Sequence, residues 1–119
     1  MKPSTKELEK ALAALEKALK EPKNDITRDA TIQRFEFCVE LVWKTAKKAL
    51  GTTSTAPRTV VREMASQGWI PDPQAWFGYL EARNLSSHTY REDLAEKVYS
   101  VAKEFLPDGQ AVLKKIQQS

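Results

Sequence analysis

From Ile26 to Leu50 the chain runs without a glycine or proline, and Gly51 then offers a stop. The spacing predicts one long helix over that stretch. Its middle is apolar nearly all round, with Phe35, Phe37, Cys38, Val39, Leu41, Val42 and Trp43. Glu36, Glu40 and Lys44 make one narrow polar strip. A helix apolar on most of its circumference is buried on most of it. Either it is the centre of a bundle, or part of its surface meets a second copy of the chain. A 119-residue chain buries only a modest core, so a homodimer is expected.

The flanking segments read as further helices. Only 4 glycines and 6 prolines punctuate the chain, which is rich in Ala, Leu, Lys and Glu and therefore favours helices over a many-turned β fold. Ser4-Thr5-Lys6-Glu7 reads as a capping box with Ser4 as N-cap. The stripe Leu8, Ala11, Leu12, Leu15, Ala18, Leu19 follows, and Pro22 ends the helix. Pro57 fits the first turn of a third helix with Val60, Val61, Met64 and Ala65 inside and Gly68 at its end. Asp72-Pro73 starts a fourth, carrying Trp76, Phe77, Leu80 and Arg83. Thr89-Tyr90-Arg91-Glu92 reads as a second capping box, opening a fifth helix that Pro107 ends. A short C-terminal helix with Val112, Leu113 and Ile116 completes the chain. The fold class expected is all-α, a helical bundle with short connections in a single domain over 1–119.

Cys38 is the one cysteine, which excludes an internal disulfide and a cysteine-rich zinc site. It reads as a buried small hydrophobe, and a reducing, cytoplasmic location is expected. No apolar signal core and no membrane-length window occurs, so no membrane association is expected. A net charge of +3 permits RNA or nucleotide binding without arguing for it.

His88 is the only histidine. HExxH, Cys/His clusters, the P-loop and GxGxxG are absent, so no metal and no cofactor is expected. Asp25 and Asp29 lie one turn apart, and solvated surface is the expected reading over a cation site. Arg83, Asn84, His88 and Tyr90 crowd one eight-residue stretch. The second capping box places His88 just before a helix N-terminus, where free N–H groups meet anions. On an unbroken helix Arg83 and His88 diverge; a break at Ser86-Ser87, both poor helix formers, lets them converge. Arginine offers a charged fork for phosphate oxygens. Histidine exchanges protons near neutral pH, as cleavage by an internal 2′-hydroxyl requires. The structural alternative is a helix-capping Arg83 and a turn contact at His88. Lys44, Lys47, Lys48, Arg58 and Arg62 form a basic run free of acidic residues, suited to RNA or an acidic partner, or simply solvated.

Arg83-Asn84-Leu85-Ser86-Ser87-His88-Thr89-Tyr90 resembles the Arg-x4-His-x-Tyr signature of HEPN domains, in particular the HepT-like branch. Arg34-Phe35-Glu36-Phe37, Val42-Trp43-Lys44, Ala56-Pro57-Arg58, Gly68-Trp69-Ile70 and Trp76 occur in the expected order. The resemblance implies an antiparallel four-helix bundle with additional short helices, usually a homodimer with two Arg–His segments at a shared cleft. It implies a minimal nucleotidyltransferase as partner. In toxin–antitoxin members the HEPN protein is a metal-independent endoribonuclease, silenced when the partner transfers AMP to the signature tyrosine. Carried over, Arg83 and His88 are catalytic, Asn84 assists, and Tyr90 is the AMP acceptor. The alternative is a non-catalytic substrate-binding subunit of a two-protein nucleotidyltransferase.

Overall fold

The computed structural model describes residues 3–119. It contains five α-helices: α1 (Lys6–Lys20), α2 (Asp25–Leu50), α3 (Pro57–Ser66), α4 (Pro73–Leu85) and α5 (Glu92–Gln118). A 3₁₀ turn, Ser86–His88, lies between α4 and α5. Among the described residues there is no strand, and no helix is long and apolar enough to cross a membrane.

Local chemistry sets most boundaries. Asn24 caps α2 through a reciprocal pair: Thr27 N–H donates to Asn24 Oδ1 at 2.9 Å, and Asn24 N–H donates to Thr27 Oγ1 at 2.8 Å. Gly51, at φ 70°, ends α2 in the left-handed region that a side chain resists. Asp72 Oδ1 accepts from Gln74 N–H at 2.9 Å, and Pro73 fills the first position of α4. The expected Ser4 box does not form. α1 starts after Thr5, whose hydroxyl is drawn to Glu9 Oε2 at 3.1 Å instead of to the backbone.

α2 packs against α1, α3, α4 and α5, which makes it the centre of the bundle. Its Phe35, Cys38, Val39, Val42 and Ala46 are buried, while Phe37 remains 50% exposed. Burial pushes the Cys38 thiol up to about 12, so it is an inert hydrophobe at neutral pH. The core centres on Phe105 of α5. Phe35, Tyr79 and Trp76 meet its ring edge-on, with centroids 5.4, 5.3 and 5.6 Å away.

The expected stop at Pro107 is overturned: α5 runs through it to Gln118, and the expected short C-terminal helix is the second half of α5. A mid-helix proline costs about 3 kcal/mol. Continuing the axis buries Val112 and Ile116 completely, worth about 1.5–3 kcal/mol each. Gly109 lets that half approach closely, because a Cβ there would lie 2.9 Å from Phe105 Cζ and 3.1 Å from Leu12 Cδ2.

One buried cation ties the start of α2 to the start of α5. Arg28 Nη1 lies 2.5 Å from Glu92 Oε1 and 3.1 Å from Glu96 Oε2, and its Nε lies 3.1 Å from Asp29 Oδ1. Lys23 also pairs with Glu96. Asp29 therefore serves an arginine of its own helix. The network fixes α5 just beyond the turn that carries His88 and Tyr90.

Candidate functional site at the α4–α5 junction

Helix α4 breaks where the sequence places its two adjacent serines. Ser86 is buried, and its Oγ lies within hydrogen-bonding reach of Glu36 Oε2 and 2.5 Å from the Arg83 carbonyl. Its one proton can serve either acceptor. Ser87 Oγ donates to the Asn84 carbonyl at 3.1 Å. Each hydroxyl competes for carbonyls that a continuing helix would need, and the chain tightens into the 3₁₀ turn.

The predicted capping box at Thr89 does not form, because Thr89 is not at the N-cap position. Thr89 Oγ1 donates backwards to the Ser86 carbonyl at 3.2 Å, and Arg91 N–H closes onto the His88 carbonyl at 3.1 Å. Helix α5 therefore begins at Glu92, after an Arg91 that makes no side-chain cap. His88 closes the 3₁₀ turn rather than standing at a helix mouth. The α5 N-terminus already holds its own acids, Glu92 and Asp93.

Arg83, in the last turn of α4, places Nε 2.8 Å from Glu40 Oε1 of α2. The N–H direction misses the oxygen, so this is an ion pair without hydrogen-bond alignment. Glu40 also attracts Lys44 Nζ at 3.5 Å. His88 is exposed and faces Tyr90 instead: Tyr90 Oη lies 3.5 Å from His88 Nδ1, with the two rings edge-on at 6.0 Å. Tyr90 is 82% exposed. Asn84 is exposed one residue beyond Arg83. Among the described residues no hydrogen bond links Arg83 to His88. The turn gathers the four side chains in one region, but within one chain Arg83 and His88 contact separate partners.

Glu36 and Glu40 were not anticipated as site residues. They sit one turn apart on the polar strip of α2 and grip the junction at Ser86 and Arg83. An acidic pair at i, i+4 on an otherwise apolar helix was the signal.

The structure divides the basic run. Lys44 and Lys48 line a hollow of about 380 Å³ with Ser4, Glu7, Leu41 and Thr45, and Lys47 follows on α2. Arg58 and Arg62 lie on α3 over the ring of Phe77, at 4.7 and 5.2 Å. Arg58 shares a groove of about 270 Å³ with Arg83 and Asn84.

Residues 4–118 match the family described as nucleotidyltransferase substrate binding protein like. The chain belongs to that family, the HepT-like branch of the HEPN domains. It is 33% identical over 95 residues to a Haemophilus influenzae protein described as probable ribonuclease HepT. That match covers 73% of this chain and 65% of the relative, so it spans just under two thirds of the relative's length. A Thermus thermophilus protein of known crystal structure superposes with a TM-score of 0.85 at 32% identity, over 92% of this chain and 98% of that one. HI0074 of Haemophilus influenzae superposes at 0.87 with 27% identity, over 96% and 99%, and is described as having the fold of a substrate-binding domain of a nucleotidyltransferase. The HepT-like fold expected from the signature is thus present, with α3 and the 3₁₀ turn as its short elements and no separate C-terminal helix.

Proposed function

We propose that this HepT-like chain is a metal-independent endoribonuclease that works with a minimal nucleotidyltransferase and is silenced when AMP is transferred to Tyr90. Arg83 and His88 are its catalytic side chains, and Asn84 lies beside the scissile phosphate. The observation that carries the reading is the exposed His88–Tyr90 pair, 3.5 Å apart, on the turn that follows Arg83.

The chemistry follows from which atoms are free. Glu40 occupies the Nε edge of Arg83, leaving its terminal nitrogens for a phosphate. Tyr90 faces Nδ1 of His88, leaving Nε2 for substrate. When Nδ1–H donates to Tyr90 Oη, Nε2 is bare and serves as the base for a 2′-hydroxyl; the imidazolium that results carries on Nε2 the proton that a general acid gives to the leaving oxygen. Transfer of AMP from ATP to Oη, with pyrophosphate leaving and the Oη proton lost to solvent, ends that contact and sets a bulky anion beside the imidazole. Arg83 and His88 do not meet within one chain, so a homodimer that brings two such turns to a shared cleft is part of the proposal.

Incubation with ATP and the partner nucleotidyltransferase is expected to raise the mass in multiples of AMP and to stop RNA cleavage. Tyr90→Phe is expected to block both effects. A mass increase that persists in Tyr90→Phe refutes Tyr90 as acceptor.

The separate contacts of Arg83 and His88 within one chain favour one other reading, a non-catalytic binding subunit of the nucleotidyltransferase. Stable co-purification with that partner, with no RNA cut at any dose, is its expected result.

A further inference from the structure

Two guanidinium groups one turn apart on α3 rest on a single aromatic ring. Arg58 and Arg62 lie 4.7 and 5.2 Å from the centroid of Phe77. Among the described residues neither has a carboxylate partner, whereas Arg28, Arg83 and Arg91 each have one. Like charges at this spacing repel, so the pair leaves an unmet demand for an anion, and the ring under it limits the freedom an anion would have to freeze.

Arg58 also lines the groove of about 270 Å³ that reaches Arg83 and Asn84. Ala56, Pro57 and Leu80 give that groove an apolar wall. Two carboxylates also line it: Glu40, already paired with Arg83 and Lys44, and Glu81, which has no ion-pair partner among the described residues. An unpaired cation, an apolar wall and an unpaired acceptor, all beside the signature arginine, match the three parts of a nucleotide: phosphate, base face and base edge.

We propose that this groove is the subsite for the RNA nucleotide adjoining the scissile bond. Arg58, backed by Arg62, binds its phosphate; the Ala56–Pro57–Leu80 wall takes the base face; Glu81 accepts from an exocyclic amino group. Cytosine and adenine present such an amino group and uracil does not, so the subsite discriminates against uridine. The assignment rests on the reading of the chain as an RNA-cutting enzyme.

Binding is separable from cleavage with short 2′-O-methyl oligonucleotides, which lack the attacking hydroxyl. Fluorescence anisotropy is expected to show the wild-type chain favouring oligocytidine over oligouridine by about fivefold or more. Arg58→Gln and Arg62→Gln should each weaken oligocytidine binding several-fold, and Glu81→Ala, which removes the acceptor, should remove the preference for oligocytidine. All three positions are exposed, and circular dichroism checks that the fold is kept. Wild-type binding that is absent, or that is unaffected by both arginine substitutions, overturns the subsite. So does loss of the nucleotidyltransferase in Arg58→Gln with RNA binding intact, which assigns α3 to the protein partner. If RNA is cut but Arg58 is indifferent, the subsite falls and the enzyme reading stands. If RNA is bound through Arg58 but never cut, the enzyme reading falls and the assignment to a scissile bond falls with it, while the groove is kept as a nucleotide-binding site.

Discussion

Arg83 Nε lies 2.8 Å from Glu40 Oε1, so the signature arginine reaches its site already held by a carboxylate of the central helix. Both side chains are about one third exposed, at 33% and 29%. A pair that open contributes little to stability, on the order of 0–1 kcal/mol. Its consequence is placement: Glu40 neutralises the Nε edge of the guanidinium without an aligned hydrogen bond, and the terminal nitrogens are left for a phosphate.

Glu40→Ala should therefore leave folding nearly unchanged and lower RNA cleavage by about tenfold to a hundredfold through misplacement of Arg83. Thermal unfolding and single-turnover cleavage, measured on the same preparation, check the two halves. A large loss of stability would make Glu40 a structural residue instead.

The α2–α5 tie gives the fold an acid-sensitive point. Lys23 first, then Arg28, hold the Glu96 carboxyl below its ordinary value of 4.5. A carboxylate whose folded pKa is depressed contributes stability above its unfolded pKa and loses it as pH falls through the folded value. The melting temperature of Glu96→Gln should be lower than that of the parent at pH 7. The two should converge as the pH falls below about 4. A gap that stays constant across this range contradicts the linkage.

Gly109→Ala sets two effects against each other. Alanine gains about 1 kcal/mol of helix propensity. The added methyl meets the buried Phe105 ring at 2.9 Å and Leu12 at 3.1 Å, and overpacking of that kind costs about 1–3 kcal/mol. Net destabilisation near 1 kcal/mol is expected by urea unfolding. A stabilised variant would mean that the core yields at Phe105.

Pro107 is exposed within α5 and supplies no backbone N–H. Pro107→Ala restores a helical hydrogen bond and removes the ring clash, offset in part by a more flexible unfolded chain. A gain of about 1–2 kcal/mol is expected from the same unfolding assay.

What could be read in advance follows the range of the forces involved. The stop at Gly51 and the starts at Pro57 and Asp72-Pro73 depend on residues next to the boundary, and the sequence displays them. The continuation of α5 through Pro107 depends on Val112 and Ile116 burying themselves in the bundle, which no local signal carries. The Thr89 box has the right spacing, but the backbone keeps turning past it, with Arg91 N–H on the His88 carbonyl, and α5 starts only at Glu92. The signature residues were visible as a cluster. Their anchors, Glu36 and Glu40, lie some fifty positions upstream, so the polar strip of α2 could be seen but not its purpose. The basic run looked like one patch in sequence and is two in space, divided between α2 and α3.

The central claim is that Arg83 and His88 cut RNA without a metal. The direct measurement is cleavage of single-stranded RNA by the purified chain in excess chelator, beside Arg83→Ala and His88→Ala. The expected result is cleavage by the parent chain that leaves 2′,3′-cyclic phosphate ends and is lost in both variants. Cleavage that survives both substitutions, or a parent chain that cuts no RNA while binding its nucleotidyltransferase, contradicts it.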